Sequence, residues 1–134
     1  MWVYLSDAFL SIVAHRDKPE TLLVRARFEG DLERVFPDHA GQVQRTPRAD
    51  YLFRVEVPRD EVALMLALSA VAIDAPNFKA SVAEPWRAKV CSDVWSVMWK
   101  AQHDRDSVQS IGRIRDKLDD EYRSGLDGVE GWPA

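Results

Sequence analysis

A chain of 134 residues with 46% hydrophobic and 30% charged side chains has the size and composition of one folded domain, which excludes wholesale disorder. Its 22 acidic against 18 basic residues leave a net charge of −4, which weighs against a general nucleic-acid coat. The single cysteine, Cys91, excludes an intrachain disulfide and any multi-cysteine metal centre.

The start, Met1 to Asp7, lacks a basic segment followed by a long apolar one, so no secretory signal is expected. Residues 2–5 and 9–15 read as short strands around a turn at Ser6-Asp7, and Leu22 to Phe28 as a third strand after the turn Asp17-Lys18-Pro19-Glu20. Asp31 is placed to cap a short helix with the stripe Leu32, Val35 and Phe36, and Pro37 stops it. Residues 42–45 are a weak strand and 46–50 a loop. Tyr51 to Val57 reads as a strand because its alternate positions are apolar and bulky. Asp60 then caps a helix running to about Ala72 that is apolar nearly all round and therefore expected to be buried on most sides. The apolar stretch from Val62 to Ile73 is too short to cross a bilayer, so a soluble, cytoplasmic protein without membrane contact is expected. Pro85 opens another helix, about Trp86 to His103, in which Cys91 is a buried small residue. Residues 107–126 read as a separate, heavily charged helix with a narrow apolar stripe, and a frayed tail follows.

From Leu22 onward the order β-α-β-β-α predicts an α+β fold. An antiparallel sheet is backed by helices in a ferredoxin-like arrangement, with an N-terminal hairpin added to the sheet and extra helices at the C-terminus. Residues 1–103 are read as one domain, and 104–134 as a charged amphipathic helix with its tail.

Alternation supplies the candidate surface. If Val24, Ala26 and Phe28 point inward, Leu23, Arg25 and Arg27 point away; with Tyr51, Phe53, Val55 and Val57 inward, Leu52, Arg54 and Glu56 face out. His15 lies at the edge of this face. With Lys79 it completes a set of anion or partner contacts: His15, Arg25, Arg27, Arg54 and Lys79. Two other readings fit the same residues: Arg25 or Arg27 pairs across strands with Glu56, or the C-terminal helices cover the face. A nucleic-acid ligand is disfavoured, because Tyr51, Phe53 and Phe28 fall in the core register and sheet-based RNA readers stack bases on exposed aromatics.

Trp95 and Trp99, four residues apart, and Ile111 and Leu118 in the following stripe are interface candidates, although core packing explains the tryptophans more simply. The stripe admits a homodimer through a short coiled coil. Gly112 and fewer than three clean heptads weigh against it.

No catalytic residue is assigned. His15-Arg16-Asp17 matches part of a kinase catalytic loop, but the Gly-rich loop, strand lysine and metal-binding aspartate of that chemistry are not recognisable. His15 as a base oriented by Asp17 competes with a polar strand end whose aspartate belongs to the turn. His15, His39 and His103 lack metal-ligand spacing, and no phosphate-loop, dinucleotide, nucleophile-elbow or zinc-protease motif occurs, so no metal or cofactor is expected.

Several strings resemble a family of small uncharacterised bacterial and phage proteins. They are Ser11-Ile12-Val13-Ala14-His15-Arg16-Asp17-Lys18-Pro19, Leu22-Leu23-Val24-Arg25-Ala26-Arg27, Ala49-Asp50-Tyr51, Pro76-Asn77-Phe78-Lys79 and Val94-Trp95-Ser96-Val97-Met98. The resemblance covers roughly residues 1–103. It implies a bacterial or phage, cytoplasmic setting and carries over no activity. The leading expectation is a non-enzymatic interaction or regulatory protein that binds another macromolecule, a protein being the expected partner, through its Arg-bearing sheet face or its Trp-rich and C-terminal helices. The rival is an anion-, nucleotide- or nucleic-acid-binding domain, and a small hydrolase or nuclease centred on His15 and Asp17 ranks third.

Overall fold

The computed structural model describes residues 1–126, without the side chains of several residues beyond Arg105, and the chain divides into two compact units after Lys89. The first unit holds β1 (Trp2–Tyr4), β2 (Phe9–Ala14), β3 (Thr21–Ala26), α1 (Asp31–Val35), β4 (Gln44–Arg45), β5 (Phe53–Pro58) and α2 (Arg59–Val71). Two 3-10 turns, Pro37–Gln42 and Phe78–Ser81, follow α1 and α2. The last helix, α3, spans Pro85–Leu126.

The strands form one open five-stranded sheet in the order β1-β2-β3-β5-β4, antiparallel throughout. The fold is therefore α+β, but the strand order is not ferredoxin-like. The N-terminal hairpin occupies the edge of β3 that a strand following α2 would have to take, and no strand follows α2 among the described residues, only irregular chain, a 3-10 turn and a helix.

The core lies on one face. Leu10, Ile12, Val24, Ala26, Phe53, Val55 and Val57 alternate onto it and pack with Leu32 and Phe36 from the α1 region and Val62 from α2. Each large apolar side chain so buried contributes about 1.5–3 kcal/mol. The opposite face carries the intervening residues. Register aligns Trp2 with Ser11, Ser11 with Arg25, Arg25 with Arg54 and Arg54 with Gln44, so a single row crosses all five strands.

Several local expectations are corrected. Gly30, at φ 86°, stands at the start of α1, and Asp31 is buried inside the helix rather than capping it. Only glycine holds that left-handed conformation without strain. Pro58 precedes α2, and Asp60 lies in its first turn. Although α2 is apolar nearly all round, Val62 is its one buried residue, and Leu64, Leu68 and Val71 are largely exposed. A single helix meets a sheet along one stripe, whatever its remaining sides are made of. Phe28 lies beyond β3 and is partly exposed. The separate helices expected over 86–103 and 107–126 are one continuous helix, since nothing between His103 and Ser107 breaks it. In the second unit Trp95 and Trp99 are about half exposed and stack with ring centroids 6.5 Å apart, so core packing does not account for them. Leu118 is also exposed, the Ile111 side chain lies outside the described residues, and Cys91 is buried.

Candidate functional site

The face opposite the core is built on β3 and β5. Both are six-residue strands paired along their whole length, so Arg25 and Arg54 stand directly across from one another. Period-2 alternation forces both side chains to the same side. The Arg25 guanidinium donates to the Ser11 hydroxyl at 2.8 Å, and Arg27 donates to the Asp50 carbonyl at 2.6 Å. Arg54 has no hydrogen-bond or ion-pair partner among the described residues, and the Nε–H groups of both Arg25 and Arg54 are shielded from solvent without an acceptor. No described carboxylate pairs with any of the three arginines.

Tyr51 corrects the expected register. The ladder between β4 and β5 ends at the pair Arg45 and Phe53, and the loop is closed by the Thr46 N–H donating to the Leu52 carbonyl at 2.7 Å. Tyr51 is thereby released from strand alternation. Leu52 packs against the core, while the Tyr51 ring lies beneath the guanidiniums of Arg25 at 4.5 Å and Arg27 at 4.2 Å. These cation–π contacts hold two of the three cations in place.

Glu56 does not neutralise the arginines. Its carboxylate takes the Lys18 ammonium on one oxygen and the His15 Nε2–H, at 3.0 Å, on the other. His15 Nδ1 accepts the backbone N–H groups of Asp17 and Lys18, each at 3.1 Å, which assigns the ring proton to Nε2. Asp17 contributes its backbone here, not a carboxylate that could orient a base. The Lys18 hydrogen bond holds the Glu56 carboxyl below its usual 4.5, partial desolvation opposes this, and His15 adds to the lowering. Lys79 belongs to the turn Phe78–Ser81, outside the sheet. The structure thus brings together Arg25, Arg27 and Arg54, with His15 locked to Glu56 beside them.

The first unit also contains a charge cluster that sequence reasoning missed. Asp31 is fully buried and accepts two bonds from Arg87, at 2.8 and 3.2 Å, one from Arg34, and the Phe9 N–H at 2.9 Å. Arg87 is 1% exposed, and its guanidinium lies against the rings of Trp86 at 4.4 Å and Phe9 at 4.6 Å. Burial works against its charge, yet the bonds to Asp31 and Glu84 outweigh burial and raise its pKa. Glu84, bonded to Arg87, is held below the usual carboxylate range. Every formal charge here has a counter-charge, so the cluster is a structural anchor for the start of α3. The pattern of an acid at a helix start does not reveal a partner 56 residues away.

An open apolar cleft of about 490 Å³ lies elsewhere in the unit, lined in part by Val3, Leu5, Leu66, Ile73 and Phe78. Among the described residues no group of three or more His, Cys, Asp or Glu side chains could hold a metal ion, and no helix is long and apolar enough to cross a membrane. No family model, curated protein or solved structure matches the chain.

Proposed function

We propose that this protein is a non-enzymatic interaction module that receives an anionic group of a macromolecular partner on the arginine-bearing face of its sheet. The observation that carries the reading is the cross-strand pair of Arg25 and Arg54, placed side by side with no carboxylate between them. Like charges directly opposed in a sheet are destabilising. A shielded donor left unbonded costs about 1–3 kcal/mol. A phosphate or carboxylate lying between the two guanidiniums offsets their repulsion and supplies the oxygen pairs that guanidinium forks bind best.

The sheet edges favour docking on the face. β1 has three residues and β4 two, which leaves little length for an added strand from a partner. A hydrolytic role for His15 finds no support, because both ring nitrogens are already engaged. The family resemblance favours a cytoplasmic, bacterial or phage setting for such a module.

Titration with inorganic pyrophosphate, followed by NMR of the arginine Nε–H groups, tests the reading. The Arg25 and Arg54 signals are expected to shift together, and Arg54→Gln to remove the response. Shifts confined to other arginines, or none at all, would overturn it.

A further inference from the structure

We infer, resting on the reading above, that the anionic partner is a single-stranded nucleic acid. Its backbone phosphate would lie on Arg25 and Arg54, and a base would stack on the ring of Trp2. Register is what joins these groups. Trp2 pairs with Ser11, Ser11 with Arg25 and Arg25 with Arg54, so the indole belongs to the same row and the same face as two cations that have no carboxylate partner among the described residues. Strand spacing puts Trp2 roughly 10 Å from Arg25, and Arg25 about 5 Å from Arg54. A nucleotide chain offers a matching alternation, an anion at every backbone link and a flat π-face at every base.

The aromatics of this face divide by burial into two roles. Trp2 is 70% exposed, although its neighbours Val3 and Leu5 turn inward against the core. Tyr4, also exposed, lies on the same side of β1 and meets the Phe9 ring edge-on at 5.0 Å, which extends the aromatic strip along the strand. Tyr51, by contrast, is nearly buried beneath Arg25 and Arg27. It is a positioning residue that fixes the guanidiniums, and Trp2 and Tyr4 are the surfaces left for bases.

Alternative partners fit less of this row. A peptide of acidic residues alone supplies carboxylates for the arginines but no flat ring for Trp2. A duplex keeps its bases stacked internally and meets the arginines alone. The net charge of −4 does not oppose the inference, since residues 61–134 hold 12 acids against 9 bases while residues 1–60 are nearly balanced at 10 against 9. Glu56, the one strand carboxylate of the face, is already occupied by Lys18 and His15.

The test compares four probes on the full chain: pyrophosphate, a short oligothymidylate, a duplex of equal length and polyglutamate. The oligothymidylate should bind at least tenfold more tightly than any of the others and should shift the Trp2 indole N–H together with the Arg25 and Arg54 Nε–H signals. Its affinity should fall with salt, the slope of log K against log salt losing about 0.7 when Arg54→Gln removes one phosphate contact. Trp2→Ala should weaken oligothymidylate binding about fivefold or more and leave the pyrophosphate response unchanged. Trp2→Phe, which keeps a stacking ring, should retain most of the affinity, with the backbone amide spectrum confirming that each variant is folded. An oligothymidylate bound no more tightly than pyrophosphate, or an unmoved Trp2 signal, overturns the nucleic-acid inference and leaves the anion-binding reading intact. Preferential binding of polyglutamate overturns it in favour of an acidic protein. Arginine signals that ignore every probe overturn both.

Discussion

Two arginine clusters in the first unit solve the same electrostatic problem in opposite ways. Arg87 is buried, flanked by two aromatic rings and matched to Asp31 and Glu84. Arg25 and Arg54 are half-buried, share their face with Tyr51 and have no acid matched to them among the described residues. The first arrangement is complete within the chain. The second has no counter-charge among the described residues, which is why the arginine-bearing face, and not the more elaborate buried cluster, is the candidate site.

The comparison breaks most visibly at Arg87. Arg87→Ala leaves Asp31 buried without its bidentate partner and should cost about 3–5 kcal/mol in urea unfolding. The paired change Arg87→Met with Asp31→Leu should recover much of that loss, because a buried pair barely outperforms an apolar replacement of similar size. If Arg87→Ala unfolds like the parent protein, the cluster is not an anchor.

At Tyr51 a smaller effect joins the two properties. Tyr51→Leu keeps apolar volume but removes the ring beneath Arg25 and Arg27. It should lower stability by about 0.5–2 kcal/mol and weaken anion binding together. Unchanged pyrophosphate affinity in a folded Tyr51→Leu protein would show that the ring does not position the guanidiniums.

Arg54 should behave in the reverse sense to Arg87. Arg54→Thr suits a strand and relieves the like-charge contact, so stability should hold or rise by about 0.2–1 kcal/mol while anion binding is lost. Stability gained at the expense of binding is the mark of a residue kept for a ligand. A clear destabilisation would instead make Arg54 structural.

The smallest effect is a pH dependence at Glu56. Lys18 and His15 lower its carboxyl pKa in the folded protein, so its contribution is fully present above the unfolded value. That contribution is lost as pH falls from about 4.5 through the depressed folded value. Thermal melts from about pH 7 to about pH 3 should show the parent protein losing more stability than Glu56→Gln, with the two curves converging at the acid end. Parallel curves would mean that the His15–Glu56–Lys18 cluster does not couple to folding.

Much of the candidate face was legible because period-2 alternation is a property of the backbone and needs no knowledge of neighbours. It placed Arg25 and Arg54 together and away from Val24, Val55 and Val57, while Arg27, just beyond the end of β3, joins them through the Tyr51 ring. The same rule misplaced Tyr51, because alternation holds only inside a strand and β5 begins at Phe53. It also left Glu56 as a partner for the arginines, since pattern alone does not show that the turn after β2 brings Lys18 and His15 to that carboxylate. Residues 2–5 were legible as a strand, but four apolar side chains in a row do not show that Val3 and Leu5 turn inward and Trp2 and Tyr4 outward. The membership of Trp2 in the arginine row was not legible either, because it depends on the pairing of β1 with β2.

The sequence by itself determined the α+β class, the antiparallel hairpin at the start, the helix opening at Pro85 and the side of the sheet on which the strand arginines stand. These follow from local backbone periodicity, proline geometry and short connections. Tertiary structure decided the strand order, the near-complete exposure of one side of α2, the burial of Asp31 against Arg87 and the release of Tyr51 onto the arginine face. Each depends on which distant segment supplies a counter-charge, a covering layer or a paired neighbour, and a linear pattern does not record those choices.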